Sequence, residues 1–385
     1  MGFSTERAIV FILLSGGVTQ SSTGGGVSLQ ELVAKGLIAR GIEVFVITNT
    51  SDNLGFSFLG EKRFTAHFRS KDGVIFNWFL FDRRRLKKEL DRIISLLPEK
   101  SLFVTVDPFP PDIAAAFHIR KHLNFDAVIT MHHITPSPLF HPFRRGPTRT
   151  FISWILSVFA ITISKVSQIP VFLDNQRIAG STGWKLNNLV LETPVTIGAL
   201  KLRSPGDKRF NACFVGRLNK NKGIRDLLVA WSIVVNMFPQ AKLTIVGKDQ
   251  GNGRYQKLIE KLGLISNVKI TGFLSAQDKE RVLENSSIFS FPSYEEGWSL
   301  AVMESVDNGL LPILYDIPAY DYLESDEIKV PAGNIKAFAH RIIYYMDNNE
   351  KRKKLVLSLQ ANIRKYTPEY VTDVWFNQLE NHFDL

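Results

Sequence analysis

The chain predicts an α/β protein built as two doubly wound parallel sheets in tandem. Three observations carry that reading. Short apolar runs that do not alternate recur on both sides of residues 201–208, as strands buried on both faces do. Segments of helical period separate the runs. The polar stretch KLRSPGDK, with its Pro205-Gly206 pair, divides the series and reads as a linker. At 385 residues the chain holds two domains of ordinary size.

In order, Ala8–Leu14 reads as the first strand. A loop with Gly16, Gly17 and the triplet Gly24-Gly25-Gly26 follows. Val27–Ala39 has helical period, and Glu43–Thr48 is the second strand. This is a βαβ unit whose first turn is glycine-rich, so backbone there can approach a phosphate or a sugar, although no G-x-G-x-x-G is present. Residues 74–81 form another apolar run. DRRRLKKELDR, from Asp82 to Arg92, is a solvated helix or a surface that meets anionic lipid. Leu102–Asp107 is a strand stopped by prolines, Asp112–Leu123 a helix and Ala127–Met131 a strand. His132 and His133 end that strand, where open parallel sheets place ligand groups. The uncharged stretch Thr150–Ser164 spans fifteen residues, short of the roughly 20 that cross a bilayer. It reads as a buried helix running into a strand, or as a helix lying on a membrane surface. Val171–Leu173 and Leu189–Thr196 close the first domain.

The second domain opens with FNACFVGRLNKNKGI. A strand ends at Gly216-Arg217, and Lys222-Gly223 precedes a helix over Ile224–Met237. Arg217 and Lys222 can converge on one anion, Arg as a planar fork and Lys as a mobile point charge, which suits a diphosphate. Strands follow at Lys242–Gly247 and Val268–Phe273, with helices at Tyr255–Leu262 and Asp278–Leu283.

Ile288 to Leu314 then gives strand, acidic loop, helix and strand, with Pro292 stopping the first and Asn308-Gly309 closing the helix. Glu296 and Glu304 stand eight residues apart, roughly 12 Å along a helix. Carboxylates so spaced cannot share a proton or a metal, but they can grip two hydroxyl-bearing ends of one extended ligand. A helix starting at Glu296 would aim the amides of Trp298, Ser299 and Leu300 at an anion between them. Helices over 337–346, 350–365 and 369–383 complete the chain.

PSYEEGWSLAVMESVDNGLLPI resembles the glutamate-seven-glutamate signature of glycosyltransferase family 4, retaining nucleotide-sugar transferases. GRLNKNKG resembles that family's second signature, an arginine and a lysine on the donor diphosphate. The resemblance covers nearly the whole second domain and, more thinly, the first. It implies the GT-B fold, two Rossmann-like domains facing across a cleft. Residues 1–200 would bind acceptor and 207–368 the nucleotide-sugar donor, with the helix near 369–385 packing back on the first domain. It implies that Gly24 and Gly25 lie over the donor phosphates, and that His132, with His133 as runner-up, faces the transferred sugar. It implies that Thr271, Gly272 and Phe273 hold the nucleobase by backbone atoms. Gly216, Arg217, Lys222, Glu296, Gly297, Trp298, Ser299, Leu300 and Glu304 would complete the donor site. Tyr315–Tyr320 departs from the family's glycine-rich turn, which leaves sugar and base preference open.

Several functional classes follow or fall away. One cysteine, Cys213, excludes an internal disulfide framework and a cysteine-rich metal site. No D-x-D stands near these loops, so neither a metal nor a resident cofactor is expected, only a UDP- or GDP-linked sugar as co-substrate. Net charge is +10, with 22 Lys and Arg against 15 Asp and Glu in residues 1–200 and 25 against 22 beyond. The first-domain excess fits a glycan or lipid-linked acceptor and an anionic membrane surface. No nucleic-acid-binding pattern is present, and no secretory leader is expected, hence a cytoplasmic or peripheral location. The expected reaction is metal-independent, front-face transfer of a hexose-type sugar. An epimerase or phosphorylase on the same architecture, and a catalytically silent sugar-nucleotide binder, are the alternatives.

Overall fold

The computed structural model describes residues 7–14, 25–49, 56–68, 81–132, 147–173, 190–192, 194–249 and 253–383. Gly24, His133 and the expected run 74–81, save Phe81, lie outside them. The chain divides into two compact units, Met1–Gly198 with Pro368–Leu385, and Ala199–Thr367.

In the first unit the described strands are β1 (Arg7–Leu13), β2 (Glu43–Thr48), β3 (Arg63–Thr65), β4 (Lys100–Thr105), β5 (Asp126–Met131), β6 (Val171–Leu173) and β7 (Val190–Glu192). They form one parallel sheet in the order β3-β2-β1-β4-β5-β6-β7. Helices α1 (Gly25–Ala39), α2 (Arg83–Ile94), α3 (Pro110–His122) and α4 (Pro147–Ser167) connect them. The strands are hydrophobic along their length because both faces are covered: Ala8 to Leu14 are all at most 1% exposed. Each fully buried aliphatic side chain contributes about 1.5–3 kcal/mol.

α4 differs from the expectation. A single helix runs through Ser164 to Ser167, and the strand begins only at Val171. No proline or glycine interrupts residues 148–167, and the Thr162 hydroxyl donates to the Val158 carbonyl 2.7 Å away, inside the helix. The stop comes at Gln168, in the left-handed region at φ 54°, before Pro170. Ser157, Ala160, Ile161 and Ser164 are buried, while Phe151 and Val166 face outward. No described helix is long and apolar enough to cross a membrane.

The second unit carries β8 (Asn211–Val215), β9 (Lys242–Val246), β10 (Val268–Gly272), β11 (Ile288–Phe291), β12 (Leu311–Tyr315) and β13 (Lys329–Val330). Their order, again parallel, is β10-β9-β8-β11-β12-β13. α5 (Ile224–Met237), α6 (Arg254–Lys261), α7 (Ala276–Glu284), α8 (Leu300–Asp307), α9 (Ile335–Asp347) and α10 (Asn349–Ile363) pack around it. Both sheets therefore reverse direction after their first strand, between β1 and β4 and between β8 and β11. Ligands of open α/β sheets bind beyond the strand C-termini at that reversal.

The segment read as a linker is folded onto the second unit. The Asp307 carboxylate accepts from the amides of Lys201 and Leu202, both at 2.7 Å, and its carbonyl accepts from the Arg203 amide. The fully buried Arg352 guanidinium donates to the carbonyls of Gly206 and Ser287. The last helix, α11 (Pro368–Phe383), returns to the first unit. Trp375 is fully buried there, edge-on to Phe172 with ring centroids 4.4 Å apart. Gly36 of α1 makes the close approach possible, since a Cβ at that position would run into the Thr372 side chain.

Candidate active site

The first candidate loops lie at the reversal of the second sheet. β8 and β11 are adjacent and parallel, so the loops after them leave the same edge. After β8 come Gly216 and the exposed Arg217, then a short 3-10 turn whose cap, Asn219, accepts from the Lys222 amide at 3.2 Å. After β11 comes Pro292 to Ser299. The two loops are sewn together by backbone: the Tyr294 amide donates to the Asn221 carbonyl at 2.8 Å, and the Asn221 side chain donates to Glu295 at 2.9 Å. Gly223, at φ 66°, lets them meet, because a Cβ there would collide with the Pro292 carbonyl.

This stitching brings Lys222 onto Glu296. The ammonium donates to Oε1 of the carboxylate, with only 15% and 10% of the two side chains exposed, and it also sits 5.2 Å above the Phe291 ring. Residues 74 apart in sequence, one from each signature, thus form one charged contact at the reversal point. Tyr320 and Tyr322 stand nearby on the 3-10 helix Pro318–Leu323. Burial first, and the Glu296 charge with it, push both phenols well above their usual range, so they remain neutral donors.

Glu304 lies on α8, whose other face buries Val302, Met303 and Val306. Lys279 of α7 donates to both of its oxygens, at 2.9 and 2.7 Å. Gly272 ends β10 at φ 75°, its carbonyl accepting from the Gly247 amide at 2.8 Å, and Phe273 beside it is 72% exposed. Both signature carboxylates are therefore held by lysines, while Arg217 stands exposed.

The helix start departs from expectation. α8 begins at Leu300, so Glu296, Gly297 and Trp298 belong to the loop, and Ser299 is the N-cap with φ 67° and ψ 81°. Glu296 and Glu304 are not two points on one helix. Trp298 explains the delay: it is buried and stacked on Tyr322 at 4.4 Å and 11°, with Tyr366 edge-on at 5.2 Å. Anchoring that indole turns the chain through a left-handed Ser299 before the helix can form.

In the first unit, Gly25 is the first residue of α1 and Gly24 lies just outside the described residues. His132 follows β5 and is partly buried. Asp107, two residues beyond β4 on the adjacent strand, is close enough to feel its charge. Burial pushes the Asp107 carboxyl up from its ordinary value, and His132 pulls it part of the way back. The sequence reading missed Asp107 because Pro108-Phe109-Pro110-Pro111 presents it as a mere strand end. Lys279 was missed because only the fold brings residues 25 apart into contact.

Residues 201–358 match the family model described as glycosyl transferases group 1. Among curated proteins, the chain is 29% identical over 178 residues to a poly(glycerol-phosphate) alpha-glucosyltransferase of Bacillus subtilis, covering 44% of this chain and 26% of that protein. It is 28% identical over 138 residues to a GDP-mannose:cellobiosyl-diphosphopolyprenol alpha-mannosyltransferase of Xanthomonas oryzae, covering 33% and 36%. It is 33% identical over 230 residues to an uncharacterized glycosyltransferase of Methanocaldococcus jannaschii, covering 54% and 56%. The matches thus span from about a quarter to a little over half of those relatives' lengths. Among solved structures, Anabaena HepE in complex with UDP and glucose aligns with a TM-score of 0.74 at 15% identity, covering 98% of this chain and all of that one. S. aureus TarM in complex with fondaparinux, alpha-GlcNAc-glycerol and UDP aligns with a TM-score of 0.72 at 12% identity, covering 97% and 99%.

Proposed function

We propose, for a chain of GT-B fold whose residues 201–358 match the model of glycosyl transferases group 1, a retaining, family 4-like hexosyltransferase. It moves a sugar from a nucleoside diphosphate to a glycan or lipid-linked acceptor. The single observation that carries this is the Lys222–Glu296 contact, which unites the two signatures at the sheet reversal. A lysine paired with a carboxylate can exchange that partner for a phosphate while the carboxylate turns to sugar hydroxyls. Arg217, Lys222 and the amides at Ser299 and Leu300 then take up the charge that develops on the departing diphosphate. Fixed cations and dipoles of this kind supply the largest usual catalytic effect.

Glu296 holds the sugar, Glu304 the ribose, and backbone at Gly272 and Phe273 the base. Gly24 and Gly25 close over the phosphates, and His132 steadies the positive charge that grows at the anomeric carbon. None of these groups is assigned as a displacing nucleophile. The leaving phosphate itself takes the acceptor's proton, and substitution proceeds on the front face without a resident metal or cofactor. Two neighbours solved with UDP support a UDP-linked donor, and the mannosyltransferase relative keeps GDP as the other choice. The outward cations of α2 support an acceptor held at an anionic, cytoplasmic membrane face.

The test measures sugar transfer from UDP- and GDP-sugars by wild type, Glu296→Ala and Arg217→Ala. Loss of about 100-fold or more in each variant is expected. Full activity in both overturns the assignment. Conversion of the nucleotide sugar with no acceptor present would instead mark an epimerase. Binding without turnover would mark a silent protein.

A further inference from the structure

We propose that Lys279 is a positioning residue for the ribose of the nucleotide, acting through Glu304. The proposal rests on the donor reading above and goes one residue beyond it. Lys279 spends two of its three N–H donors on the two oxygens of Glu304, at 2.9 and 2.7 Å. A carboxylate offers about four acceptor positions, so about two remain, which is what a vicinal 2′,3′-diol requires.

The helix that carries the lysine is tied down: Ser275 caps α7 by accepting from the Asp278 amide, Glu280 pairs with Lys201 and Arg203, and Glu284 pairs with Arg203. Glu304 is held as well, since α8 is fixed by its buried Val302, Met303 and Val306. The contact is about a third exposed on each side, 31% and 29%, and a pair so open to water contributes little to folding stability. Its use lies in direction: two bonds from one ammonium stop the carboxylate from rotating. Lys279 also stands six residues past Phe273, near the start of the helix that follows the expected base-binding backbone. One strand-to-helix connection therefore links the base-binding backbone to the lysine that orients Glu304.

Calorimetric titration of UDP and GDP, each beside its 2′-deoxy counterpart, tests this on wild type, Lys279→Met and Lys279→Arg. Wild type should prefer the ribonucleotide by about tenfold, the worth of one hydrogen bond to a charged group. In Lys279→Met that preference should fall to within about twofold, while Lys279→Arg keeps most of it. The ratio is taken within one variant, so a loss of folded protein cancels. A preference in Lys279→Met equal to or above that of wild type overturns the proposal and leaves the donor reading standing. Binding of neither UDP nor GDP by wild type overturns both.

Discussion

The surroundings of Asp107 oppose a charge on its carboxyl. Its carboxyl is raised above the ordinary 3.8 by burial, with His132 opposing. The fold therefore favours the protonated form, and the stability Asp107 contributes is complete below pH 3.8 and is lost as pH climbs through the raised value. Asp107→Asn should melt at a higher temperature than wild type at pH 7, with the gap closing as pH falls toward 3.8; a variant less stable than wild type at pH 7 would show that the charge is needed by the fold. Groups kept at such a cost gather at functional sites, which sets Asp107 beside His132 as a residue to assay. Cys213 is the contrast. Burial pushes its thiol up to about 12, and it is fully enclosed, so it stays an unreactive part of the core.

At the scale of elements, α2 separates its two faces cleanly. Leu86, Leu90, Ile93 and Ile94 are buried, while Arg83, Arg84, Arg85, Lys87 and Lys88 point outward. Each cation near an anionic bilayer is worth about 1 kcal/mol, so changing Arg84, Lys87 and Lys88 to Glu should weaken partition onto anionic vesicles by about 100-fold or more. Co-sedimentation measures it, and equal binding of the wild type to neutral and anionic vesicles would sink the idea. Elements of this kind were legible in the sequence wherever a period could be counted: α5 was expected and found at Ile224–Met237. β3 and β13, of three and two residues, are too short to carry a period, and β-pairing alone defines them. The two signatures assigned Lys222 and Glu296 to one donor site but not to each other; their contact comes from the sheet edge that β8 and β11 share. The start of α8 did not follow. Gly297-Trp298-Ser299 has no local mark of a left-handed serine; the cause is Tyr322, 24 residues on, stacking on Trp298.

At the scale of the whole molecule, the first unit is completed by residues that come after the second. α11 lies against α1, with Thr372 over Gly36, Arg40 paired with Asp373, and Trp375 against Phe172. Removing so large a buried ring costs about 3–5 kcal/mol, so Trp375→Ala should lower the melting transition of the first unit. Calorimetry that shows two transitions should find the second one unmoved; an unchanged first transition would mean that α11 adds nothing to its unit. During synthesis the chain emerges N-terminus first, and units generally fold as they appear. Here the sheet that leaves the ribosome earliest must wait, with the hydrophobic seat for Trp375 uncovered, while about 170 further residues are translated and fold. The second unit can thus be finished before its older neighbour, and that interval is when a chaperone would find this protein most in need of cover.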